Sequence, residues 1–176
     1  MRHAFIDESA RGGYLVCAVV LTPKNLLTSR QALRRLCKPG QQRIHMSSES
    51  DSRRREILSG IRGLGMEAHV YQAELKGRSQ RAVRDDCLRA AVPDLVLMGI
   101  SRLVIESCDQ DRQDRLVVHE MLGKAEAHDR MAYGHGRPSS EPLLWVPDAL
   151  AWAYGKGGDW RRRTDGVVRN VVSVTS

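Results

Sequence analysis

The most constraining stretch is Leu103-Val104-Ile105-Glu106, an unbroken apolar run that ends in an acid and has polar neighbours on both sides. A run too short for a helix, with no polar residue alternating through it, reads as a strand covered on both faces. Covering both faces takes helices, so the chain is expected to be an α/β fold. The rest of the pattern agrees. His3 to Asp7 reads as a short strand, Ala10-Arg11-Gly12-Gly13 as a turn, and Tyr14 to Leu21 as a long β-rich run. Thr22-Pro23 announces a helix, and Arg43 to Met46 a short third strand. Further helices are expected after Asp51 or Ser52, from about Ser79 to an end or kink at Pro93, over Asp111 to Lys124, and from Trp145-Val146-Pro147-Asp148. Met66 to Ala73 alternates as a half-covered strand does, Ala125 to Pro142 reads as irregular, and Val167 to Val174 is β-prone. No repeat or linker composition divides the 176 residues, which gives one α/β domain with a mixed sheet flanked by helices.

Composition narrows the function. No stretch approaches the roughly 20 apolar residues that cross a bilayer, and the amino terminus meets Asp7-Glu8 too early for a secretory segment. A cytoplasmic protein with no membrane partner is expected. The four cysteines, Cys17, Cys37, Cys87 and Cys108, form no metal clip and no disulfide framework; Cys17 and Cys87 read as small buried hydrophobes. Lys and Arg number 28 against 21 Asp and Glu, a formal charge of +7 that favours a polyanionic partner such as nucleic acid.

The chemistry lies in the acids. The first strand ends in Asp7-Glu8, the buried strand in Glu106, and Asp148 sits in the first turn of the last helix. Ligands of α/β sheets gather beyond the carboxyl ends of strands. Carboxylates crowded there repel one another unless a cation joins them. Mg2+ or Mn2+ prefers such oxygen ligands, and a pair of these ions suits in-line phosphodiester hydrolysis. Each acid also has a plainer reading: Asp7-Glu8-Ser9 as the opening of a turn, Asp148 as a first-turn acid favoured by the helix dipole. Ser9 lacks a nucleophile-elbow context and Cys108 sits among acids that blunt a thiolate, so neither is a nucleophile.

Phe5-Ile6-Asp7-Glu8-Ser9, Ile44-His45, Leu103 to Glu106, and Leu144-Trp145-Val146-Pro147-Asp148-Ala149-Leu150 resemble, in this order, the motifs of the bacterial domain of unknown function 3800 family. The resemblance implies a ribonuclease H-like fold and a divalent-metal nuclease acting on DNA, RNA or a hybrid. It implies Asp7, Glu106 and Asp148 as catalytic metal ligands, with Glu8 or Glu49 assisting. Arg43 stands where that family often has Glu, so a fourth acid is either lost or supplied by Glu49. His135, between two glycines, matches the mobile-loop histidine that aids proton transfer in ribonuclease H enzymes. His45 is placed to contact a phosphate or a metal, and Arg53, Arg161 and Arg162 to grip nucleic acid. The alternative is a non-catalytic nucleic-acid-binding or adaptor protein with a degenerate site.

Overall fold

The computed structural model covers residues 1–176 and is built on a six-stranded sheet in the order β5-β4-β1-β2-β3-β6. The strands are β1 (Arg2–Ser9), β2 (Tyr14–Leu21), β3 (Glu67–Ala73), β4 (Ile100–Glu106), β5 (Ala132–Gly136) and β6 (Val168–Ser173). β1, β2 and β3 form an antiparallel meander, whereas β4 pairs parallel to β1, β5 to β4, and β6 to β3. β4 lies between β5 and β1 and is covered on both faces, as the apolar run Leu103 to Ile105 requires.

Both faces are covered. One face carries a core of 25 buried residues, among them Phe5, Cys17, Val104, Ile57 and Trp152; the other carries 21, among them Ile6, Ile105, Leu88 and Val118, so the sheet is the middle layer. The first face is covered by α1 (Leu26–Leu36), α2 (Asp51–Arg62) and α5 (Trp145–Lys156), the second by α3 (Gln80–Leu97) and α4 (Asp111–Lys124); a short α6 (Gly158–Arg162) follows α5. Ser50 caps α2 by accepting from the Arg53 amide at 3.3 Å, and Ser79 caps α3 by accepting from the Ala82 amide at 3.1 Å.

Four local expectations are corrected. Thr22-Pro23 opens a single 3-10 turn over Pro23–Asn25 before α1, and Thr22 makes no side-chain cap. α3 runs through Pro93 to Leu97, because its stripe of Val83, Cys87, Leu88, Ala91, Val92 and Leu95 stays buried on both sides of the proline. Arg43 to Met46 is not a strand. The Met46 amide donates to Asp148 at 3.0 Å, and the Arg54 guanidinium takes the Met46 and Ser47 carbonyls at 2.8 and 3.2 Å, so side chains satisfy the groups a ladder would use. Finally, β5 lies inside the stretch expected to be irregular. Its sequence, Ala-Tyr-Gly-His-Gly, has no apolar alternation, and parallel pairing with β4 alone makes it a strand.

Candidate carboxylate site

Strand alternation decides which acids meet. Ile6 pairs with Ile105 across β1 and β4, so Asp7 and Glu106 follow side by side at the carboxyl ends of adjacent parallel strands. Phe5 and Val104, two residues before each acid, belong to the α5 face, and period-2 alternation turns Asp7 and Glu106 to the same face. There α5 packs on β1 and β2 with Asp148 in its first turn. Ala149, Ala151 and Ala153, all fully buried, allow the close approach.

Asp7 is 4% exposed, and the Glu106 and Asp148 side chains are 19% and 13% exposed. Burial raises the Asp7 carboxyl well above the ordinary carboxylate range, and the neighbouring charges of Glu8, Glu106 and Asp148 add to it, as does hydrogen bonding with Glu106. Asp148 is also raised by burial, against the pull of the Met46 amide, His45 and Arg43. Glu106 Oε1 is buried without a hydrogen-bond partner; Arg43 Nη2 approaches it at 3.3 Å as an ion pair, out of hydrogen-bonding alignment. A buried carboxylate oxygen without a hydrogen bond, beside two carboxyls that burial makes reluctant to ionise, fits a divalent cation with oxygen preference. Asp7, Glu106 and Asp148 are the residues that would hold it.

The other candidates divide. His45 belongs to the site: its half-exposed ring lies 3.9 Å from Asp148 Oδ1. Glu8 points to the opposite face, where it pairs with Arg84 Nη1 at 2.6 Å. Alternation from Asp7 requires this, so Glu8 is withdrawn as a ligand. Glu49 is buried with its carboxylate 3.7 Å from Arg53 Nε.

His135 is also withdrawn as a mobile shuttle. It lies in β5 beside Ile105, on the α3 and α4 face, with a side chain 4% exposed and 3.4 Å from both Asp111 and Asp114. Arg53 is buried, bonded to the Leu36 carbonyl and to Glu56, and is no phosphate grip. Arg161 bonds the Tyr154 carbonyl at 2.9 Å and lies over the Tyr154 ring, and Arg162 pairs with Asp159 at 3.6 Å. Both follow the carboxyl end of α5, and at about 1.5 Å per residue the length of that helix separates them from Asp148.

A second acidic group lies on the far face. Ligand atoms of Cys108, Asp111 and Asp114 all fall within 4.8 Å of one another. Their valences are filled from within the protein: Arg84 grips the fully buried Asp114 through two hydrogen bonds of 2.8 and 2.7 Å, and Asp111 accepts from the Ser107 hydroxyl and the Cys108 amide. This group is an ion-pair core tying α3 to α4. The sequence reading missed it, because nothing in local spacing links Arg84 to Asp114. It also passes over Arg11 and Trp152, which with Arg54, a member of the Arg53 to Arg55 run, gather beside Asp148; the place of Arg11 in the turn after the acidic end of β1 is the available signal.

No protein-family model and no curated protein matches the chain. Among solved structures, a chain of the PCNA:RNase HII complex from Archaeoglobus fulgidus matches it with a TM-score of 0.60 and 16% sequence identity, over 89% of this chain and 73% of that one. No helix is long and apolar enough to cross a membrane. The likeness is one of fold: the mixed six-stranded sheet with its flanking helices is ribonuclease H-like.

Proposed function

We propose that this protein hydrolyses phosphodiester bonds of nucleic acid with Mg2+ or Mn2+ held by Asp7, Glu106 and Asp148. The observation that carries the reading is the convergence of these acids on one face at the ends of β1, β4 and α5, with Glu106 Oε1 buried and without a hydrogen bond. A divalent ion bound there would supply charge neutralisation and polarise a phosphoryl oxygen. The chain's own groups do the rest. The Met46 amide orients Asp148, His45 stands where it can meet a phosphate, and the net charge of +7 favours a polyanion. The resemblance to the domain of unknown function 3800 family and the ribonuclease H-like fold both support this reading; a cytoplasmic location is part of it.

The test is thermal melting with and without Mn2+, followed by incubation with DNA, RNA and hybrid duplexes. A cation that binds only the folded state raises the melting temperature, and Asp7→Asn and Asp148→Asn lose both that rise and the cleavage. A second reading, a nucleic-acid-binding or adaptor protein, is favoured by one observation: Arg43 places a permanent positive charge against Glu106. Under that reading the wild type melts identically with and without Mn2+ and leaves every duplex intact.

A further inference from the structure

Arg11 has no acidic partner, whereas Arg43, Arg53, Arg54 and Arg84 are each engaged by carboxylates. Its position is fixed by the backbone. Gly12 has φ +68, and a Cβ there would stand 2.6 Å from the Gly155 carbonyl oxygen; a Cβ on Gly155 would stand 2.5 Å from the Arg11 carbonyl oxygen. The two glycines therefore let the β1–β2 turn sit directly on the end of α5. That seats the exposed Arg11 with its guanidinium 5.6 Å from the centre of the Trp152 ring, and Arg54 lies over the same ring at 4.3 Å. Arg54 is spent on Asp51 and on two carbonyls of the Met46 turn, which leaves Arg11 as the free cation.

Between the two turns opens a cavity of about 440 Å³, lined by Glu8, Ser9 and Arg11 at the β1–β2 turn, His45 and Ser47 of the Met46 turn, and Asp148 and Trp152 of α5; the Glu8 carboxylate itself is paired with Arg84. A guanidinium fork, an imidazole and two hydroxyls converging on a polar cavity are the donor set of a phosphate site. The cavity shares Asp148 with the carboxylate cluster, so the two are contiguous.

We propose that this cavity is a phosphate subsite for a nucleic-acid strand, gripped by Arg11 and flanked by His45 and Ser47. Naming the ligand as a strand rests on the function proposed above; the phosphate chemistry does not. The experiment is fluorescence polarisation of labelled single-stranded and duplex oligonucleotides, in EDTA so that no cleavage occurs, over a range of KCl concentrations. Arg11→Ala is expected to bind about five- to twentyfold more weakly and to flatten the salt dependence by one phosphate contact, about 0.9 in log–log slope on duplex and about 0.7 on single strands. Arg161→Ala and Arg162→Ala are expected to bind as the wild type does.

Arg11→Ala keeps the wild-type Mn2+ response in melting, since Arg11 is outside the carboxylate cluster. Inorganic phosphate and a mononucleotide, added as competitors, are expected to displace the oligonucleotide only in large excess. Competition as tight as the strand's own binding overturns the assignment to a strand. Unchanged affinity and slope in Arg11→Ala, or a wild type that binds no oligonucleotide, overturns the subsite. Failure of the metal reading is seen elsewhere, as a wild type unmoved by Mn2+ whose strand binding still depends on Arg11.

Discussion

Asp7 and Glu106 end adjacent parallel strands on the same face, each one residue beyond the paired Ile6 and Ile105. Two carboxylates so placed hold a proton or a cation between them. Because the folded pKa of Asp7 is raised above its ordinary value of 3.8, the native state keeps a proton that the unfolded chain releases. Stability of the metal-free protein is therefore full below that value and falls as pH rises through the raised one. Asp7→Asn removes the penalty. In EDTA at neutral pH it is expected to melt about 2–4 °C above the wild type, the equivalent of about 1 kcal/mol, and the advantage should vanish near pH 3 in paired melting curves.

Arg84 and Asp114 behave in the opposite sense. Burial alone would raise Asp114, but the Arg84 guanidinium, with Arg81 beside it, outweighs burial and lowers it. This stabilisation is present above the ordinary Asp value and is lost as pH falls through the lowered one. Arg84→Met takes from the buried Asp114 its two shortest hydrogen bonds, leaving only Arg81 and His135 near it, and is expected to cost about 3 kcal/mol, read by urea denaturation. Replacing both residues with apolar side chains should recover a large part of that loss.

His135→Gln separates a buried structural histidine from a proton shuttle. Its ring meets Asp111, Asp114 and Tyr133 on the face opposite the carboxylate site. The variant is expected to lose about 1–3 kcal/mol of stability while the pH–rate profile of any cleavage keeps its shape. A profile that loses a limb would restore His135 to the chemistry.

Gly155→Ala tests the seat of the β1–β2 turn. The added methyl would meet the Arg11 carbonyl, backbone that cannot swing aside. The cost is expected at about 1–3 kcal/mol, accompanied by weaker oligonucleotide binding as Arg11 leaves the cavity. Gly65→Ala, whose Cβ meets nothing within 4 Å, carries backbone strain alone at φ +70 and should leave that binding untouched.

Short-range pattern showed where each acid sits along the chain, and alternation could have shown more. The strand ends at Asp7 and Glu106 and the first-turn position of Asp148 were all legible, because apolar runs stop at them. Strand alternation, applied strictly, excludes Glu8 from the company of Asp7. The role of His135 was not legible. Glycines on either side suggest a loop, and only pairing with β4 turns that segment into a strand and its ring toward Asp114. Arg53 and Arg161 look like free charge in sequence, yet each is spent on a carbonyl brought near by helix packing. The missing strand at Arg43 to Met46 has the same origin, since its backbone partners Asp148 and Arg54 come from other elements.

The most direct measurement is anomalous diffraction from crystals grown with Mn2+. The proposed metal site predicts an anomalous peak among the carboxylates of Asp7, Glu106 and Asp148. A map without density there, or with its only peak at Cys108, Asp111 and Asp114, would contradict it.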